Sequence, residues 1–172
     1  EQFSFHDKIT MIDEFMFQSC SKLKVISIPS TVTSIKQGAF NNCTALLEID
    51  IPLSVTKFER SLFYNCSSLK HIKINSSVTF IDNCAFEGCE SLQYVEIPSS
   101  ITTIRNCVFR SCSSLTTIKI PDSITSICMN VFEKCSSLKN VIIPEKVEMI
   151  EQNAFCKCSS LEEITFPPLI KI

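Results

Sequence analysis

The sequence predicts a β-rich solenoid, a stack of 23-residue coils lying in register. Three observations carry that prediction. The nine residues CSSLKHIKI at 66–74 return as CSSLTTIKI at 112–120, CSSLKNVII at 135–143 and CSSLEEITF at 158–166, with looser copies at 20–28, 43–51 and 89–97. Cysteines stand at 20, 43, 66, 89, 112, 135 and 158, each step being 23 residues without insertion or deletion. Five further apolar columns keep the same period, at three before and three, six, eight and twelve after each cysteine. A strict period in this range marks a solenoid, because one unit cannot bury its own apolar residues and stacked units share a continuous core.

Each element of the coil follows from its residues. After the cysteine comes Leu-x-x-Ile-x-Ile, which ends in period-2 alternation. In the third unit Ile72 and Ile74 then point one way and His71 and Lys73 the other, as in a short strand. Pro29, Pro52, Pro98, Pro121, Pro144 and Pro167 follow that strand directly. A proline has no N–H to give to a ladder, so it ends the strand and begins a turn. The next piece, SVTSI-like, predicts an extended segment or a second very short strand. The Ala-Phe segment that precedes the next cysteine predicts a single helical or 3₁₀ turn. Phe3, Phe5, Ile9, Ile12, Met16 and Phe17 already fall in the repeat columns. Residues 1–19 therefore read as a partial repeat, and residues 20–172 as seven repeats, the last incomplete, in one domain.

Composition narrows the function classes. A net charge of −2 gives no electrostatic footprint for nucleic acid. No apolar run approaches the roughly 20 residues of a membrane-spanning helix. The two histidines, His6 and His71, are not set beside a nucleophile and an orienting group. There is no phosphate loop, HExxH or dinucleotide fingerprint. The expectation is a chain without enzymatic activity and without a cofactor.

The pattern SLxxIxIPxSVTSIxxxAFxxC resembles the BspA-type leucine-rich repeats, and the resemblance covers essentially the whole chain. It implies a right-handed, curved leucine-rich-repeat solenoid of seven full repeats plus one partial N-terminal repeat, with the strands on its concave side. It also implies surface proteins of anaerobic microbes and parasitic protists that adhere to host matrix or to other cells. One departure stands out. The family often has Gly after the second Ser-Ile, where this chain has Lys36, Glu59, Asp82, Arg105, Cys128 and Glu151. The turn there is expected to be looser, or less demanding of positive φ.

Recognition must then use the strand positions that packing leaves free, four, five and seven residues after each cysteine. The candidates are Lys24, Glu48, Asp50, Lys70, His71, Lys73, Tyr94, Glu96, Thr117, Lys119, Asn140, Ile142 and Glu163. Core columns barely change between copies, whereas these change in every copy. Val25, Leu47, Tyr94 and Ile142 are the apolar members, and mixed charge with a Tyr suits a protein partner. Tyr94 is the first choice for an energetic anchor. Leading expectations are a protein ligand, no nucleic acid, no membrane insertion, and end-to-end association of copies through uncapped termini. A cell-surface or secreted location is ranked first. An intracellular adaptor or enzyme regulator using the same face is the alternative, because many unpaired thiols fit a reducing interior.

The cysteines admit more than one reading. Cys20, Cys43, Cys66, Cys89, Cys112, Cys135 and Cys158 form either a buried thiol ladder or a set of disulfides between coils. Free cysteine is among the most buried residue types, and the odd total of 11 argues against complete pairing, so the ladder is expected. Cys84 and Cys107 share another column. They offer a disulfide in an oxidising compartment, or, with Cys89 and Cys112, a four-thiolate zinc site; plain unpaired thiols are the default. Sequons at Asn42, Asn65 and Asn75 complete the inventory.

Overall fold

The computed structural model describes residues 5, 6 and 8–168. Phe3 and Ile170, which the repeat places in core columns, lie outside the described residues. Among the described residues every regular element is a parallel strand of two or three residues, and none is a helix. The three-residue strands are β2 (Val25–Ser27), β4 (Glu48–Asp50), β6 (His71–Lys73), β8 (Tyr94–Glu96), β10 (Thr117–Lys119), β12 (Asn140–Ile142) and β14 (Glu163–Thr165). Between them run the two-residue strands β1 (Met11–Ile12), β3 (Ser34–Ile35), β5 (Lys57–Phe58), β7 (Phe80–Ile81), β9 (Thr103–Ile104), β11 (Ser126–Ile127) and β13 (Met149–Ile150). The first set pairs as β6-β8-β10-β12-β14 and as β2-β4. The second pairs as β1-β3, β5-β7 and β9-β11-β13. Between β4 and β6 the stack continues through Lys70 N, which donates to Leu47 O at 3.2 Å. Register is kept throughout: His71 faces Tyr94, and Tyr94 faces Thr117.

The predicted core columns are inside, except that Phe166 of the last coil is 41% exposed. Leu69 is fully buried, and Ile72 and Ile74 are buried beside it. Phenylalanines 17, 40, 63, 86, 109, 132 and 155 form one near-parallel stack, with neighbouring centroids 5.3–5.7 Å apart. Each such contact adds about 0.5–1.5 kcal/mol beyond the area it buries. Where the third copy lacks proline, Asn75 replaces it. Its Nδ2 donates to Ile51 O at 3.3 Å, and its Oδ1 accepts from Ser77 N at 3.0 Å. This buried asparagine closes the turn by side-chain hydrogen bonds where proline would do so by restricting φ.

The Ala-Phe segment corrects the helical expectation. Its N–H groups alternate between two kinds of partner. Ala39, Asn41 and Cys43 donate within the coil to Lys36, Gly38 and Phe40. Gly38, Phe40 and Asn42 donate to Arg60, Leu62 and Tyr64 of the next coil. A helix or 3₁₀ run aligns all its N–H groups along one axis. Here every second one is needed to hold the neighbouring coil. The reversals use left-handed residues in two columns. The first holds Phe15, Gly38, Ser61, Cys84, Cys107, Asn130 and Asn153. The second holds Ser19, Asn42, Asn65, Gly88, Ser111, Lys134 and Lys157. The position after the second Ser-Ile is in neither, so Lys36 and its equivalents stand there without conformational penalty.

The seven repeat cysteines form the thiol ladder. Sγ of Cys43, Cys66, Cys89, Cys112, Cys135 and Cys158 lies 3.1–3.3 Å from the carbonyl of the phenylalanine 26 residues earlier. In the Cys43 case Phe17 O also accepts from Cys20 N, so both of its lone pairs are used. A thiol is small enough for the packed interior and still supplies a donor. Burial pushes the thiols of Cys43, Cys66, Cys89, Cys112, Cys135 and Cys158 above their ordinary value of 9.0; Cys43 reaches about 12, with the neighbouring Cys20 adding to the shift. Cys66 and Cys112 move in the same direction, again chiefly through burial.

Two stability outcomes are expected. Gly88 has φ 75°, and a Cβ there would run into the side-chain oxygen of Asn65. Gly88→Ala should lower unfolding free energy by about 1–2 kcal/mol. Lys134→Gly, at φ 65° in the same column, should raise it by about 0.5–1 kcal/mol. Urea titration measures both, and equal effects of one sign would remove the left-handed account. The ladder also sets a pH dependence. Above pH 9 the unfolded chain loses thiol protons that the fold retains, so stability declines as pH rises from 9 toward 12. Below 9 both states are protonated and this contribution is level. The urea midpoint measured against pH should show that break, and Cys66→Ser should make the decline shallower by up to about one proton.

Candidate ligand-binding face

Every three-residue strand from β2 to β12 reads exposed-buried-exposed. The central residue belongs to the core; its two neighbours point out of the sheet. Register turns those outward residues into two ladders. One runs Val25, Glu48, His71, Tyr94, Thr117, Asn140, Glu163, and the other Ser27, Asp50, Lys73, Glu96, Lys119, Ile142, Thr165. All of the sequence-predicted face residues, Lys24 and Lys70 included, are exposed on this side or at the strand starts. In the second ladder the charges alternate in sign from Asp50 through Lys73 and Glu96 to Lys119. Strands about 4.8 Å apart would make stacked like charges repel, and alternation turns that repulsion into attraction.

Apolar surface breaks the charge pattern. Ile142 is 72% exposed and Tyr94 46%. Ile142 lines a depression of about 340 Å³ with Ile118, Lys119, Asp122, Asn140 and Pro144. A second depression of similar size lies among Leu53, Lys73, Ile74, Ser76, Glu96 and Pro98. Both sit where the strands end and the proline turns begin. Leu53, 70% exposed, escaped the sequence reading. Its signal was present: the other copies hold Ser30, Ser76, Ser99, Asp122, Glu145 and Pro168 in that column, so Leu53 is its one large aliphatic residue.

Away from this face, the left-handed turns carry a different group. Sγ of Cys84, Sγ of Cys107 and a carboxylate oxygen of Glu87 lie within 4.8 Å of one another, all half-buried. Arg110 Nη1 is 3.2 Å from Glu87 Oε1, and its Nε is 2.8 Å from Glu133 Oε2. Burial, then Glu87, then Cys107 push the Cys84 thiol up to about 12. Cys89 and Cys112, grouped with this pair at the sequence level, are instead fully buried ladder members bonded to Phe63 O and Phe86 O. Glu87 was not singled out by the sequence reading; the Glu87, Arg110, Glu133 succession at 23-residue steps was its signal. All eleven cysteines are unbonded to one another.

A family model described as the BspA type leucine rich repeat region matches residues 1–114 and 56–172, in six copies. The fold is similar to that of a leucine-rich repeat protein from Bacteroides ovatus, at 28% identity and a TM-score of 0.80, over 98% of this chain and 49% of that one. It is also similar to a leucine rich cell surface protein from Faecalibacterium prausnitzii, at 35% identity and a TM-score of 0.80, over 95% of this chain and 46% of that one. A leucine rich repeat protein of T. pallidum aligns at 27% identity and a TM-score of 0.71, over 77% of this chain and 62% of that one. The chain thus spans about half the length of the first two. No curated protein sequence matches it.

Thiol accessibility follows from the two cysteine environments. Cys43, Cys66, Cys89, Cys112 and Cys135 are buried, and the other six are half-buried. Brief alkylation of the native, reduced chain near pH 8 should modify only members of the second group. Peptide mapping reads the result. Labelling of Cys89 or Cys112 at the rate of the half-buried Cys156 would show that the ladder is open to solvent.

Proposed function

Since the chain belongs to the BspA-type leucine-rich-repeat family, we propose that it is a non-enzymatic module that binds a protein ligand on its three-residue-strand face, in adhesion or recognition at a cell surface. Leucine-rich-repeat solenoids serve widely as binding scaffolds, because a stack of coils presents one extended surface. The observation that carries the reading is the contrast between columns. Residues pointing inward repeat from coil to coil, while the outward ladders change at every step and stay exposed. Packing imposes no choice on Tyr94, Lys73 or Ile142, so their identities are free to serve a partner. The mixed signs and the exposed aromatic and aliphatic groups fit a protein ligand, whose interface cores favour Tyr and whose rims are polar. The similar cell surface protein of Faecalibacterium prausnitzii supports an external location.

An intracellular adaptor using the same face is the second reading. The unbonded cysteines favour it, since reducing compartments keep thiols free.

The test uses the full chain, immobilised and probed with a panel of extracellular-matrix proteins and with intact cells. Saturable binding is expected, and Tyr94→Ala combined with Lys73→Glu should weaken it by at least about tenfold without changing the melting temperature. Unaltered affinity in the double variant would move the site off this face. Absence of binding to every matrix protein and cell type would favour the intracellular reading.

A further inference from the structure

We propose that Cys84, Glu87 and Cys107 form a binding site for one soft divalent cation of the zinc class, held by two sulfurs and a carboxylate oxygen with one position left for water. The inference is independent of the binding face. It rests on convergence: the three ligand atoms come from two adjacent coils and lie within 4.8 Å of one another. Tetrahedral zinc with bonds of about 2.3 Å to sulfur sets its two sulfurs about 3.8 Å apart, so closure needs only side-chain adjustment. Thiolate ligands select soft and borderline metals over magnesium or calcium.

Neighbouring groups already hold these ligands as outer partners of a metal site do. Arg110 Nη1, 3.2 Å from Glu87 Oε1, steadies the carboxylate, while its Nε reaches Glu133 at 2.8 Å. Asn130 Nδ2 lies 3.9 Å from Cys107 Sγ. The backbone adds a second constraint. Cys84 and Cys107 occupy the left-handed column, at φ 59° and 60°, where Gly38 and Asn130 show that smaller or amide side chains suffice. A thiol there contributes nothing that the turn requires. A dication held by both sulfurs and the carboxylate would link two adjacent coils. Both thiols then give their protons to solvent, so binding strengthens with pH.

The reduced, metal-free chain is titrated with Zn²⁺ by calorimetry and with Co²⁺ by visible absorption. One cation per chain is expected, with the intense bands of a four-coordinate cobalt–thiolate site and a raised melting temperature. Cys84→Ser and Cys107→Ser should each weaken binding at least about 100-fold, and Glu87→Gln about tenfold. Cys84→Gly copies Gly38 in the same column, so it tests ligand loss in a chain whose fold circular dichroism can verify. Stoichiometric binding that survives both cysteine changes overturns the assignment, as does the lack of saturable binding by the parent chain. Formation of a Cys84–Cys107 disulfide in air with one equivalent of zinc present also overturns it, since a bound cation would occupy both sulfurs.

Discussion

One constraint governs the molecule: the backbone of each coil is completed by the coil beside it. The N–H groups of Gly38, Phe40 and Asn42 are satisfied by carbonyls of the following turn. A buried peptide group without a partner is costly, so a coil one residue longer or shorter would strand several such groups at once. That is the physical reason for the unvarying 23-residue step. The same register brings phenylalanine onto phenylalanine and each thiol onto a carbonyl of the preceding turn. Column identity is therefore a consequence of hydrogen-bond bookkeeping as much as of hydrophobicity.

The constraint divides the surface into two kinds. Along the three-residue strands the outward side chains meet no core demand, and they range from Glu48 through Tyr94 to Ile142. Along the turns the demand is conformational. Two residues per coil must take positive φ, yet the chain uses glycine for this only at Gly38 and Gly88. Asparagine, serine, lysine, cysteine and, at Phe15, phenylalanine fill the remaining places, each at some conformational cost. The cysteines in this column cannot be assigned to the packing role of the ladder, which is why Cys84 and Cys107 stand apart from their chemically identical neighbours.

Much of this was legible in the residues. Leu69, Ile72 and Ile74 announced an inward face by spacing alone, and the outward position of His71 and Lys73 followed from period 2. The thiol ladder was legible because a seven-fold column with an odd cysteine total resists pairing. The Ala-Phe turn was not legible as it stands. Local propensity permits a short helical turn there, and only the requirement to donate alternate N–H groups sideways excludes it. Glu87 was missed for a related reason: its signal lies at 23-residue steps rather than locally, and besides Cys84 its partners Cys107 and Arg110 are on the next coil.

By itself, then, the sequence determined the repeat length, the inward columns and the family, because periodicity is a one-dimensional property that packing must obey. Only the tertiary structure decided which atoms meet across the 23-residue step. Side-chain chemistry at a point depends on neighbours a whole coil away, and their approach to within a few ångströms is set by backbone register and turn geometry rather than by any local run of residues.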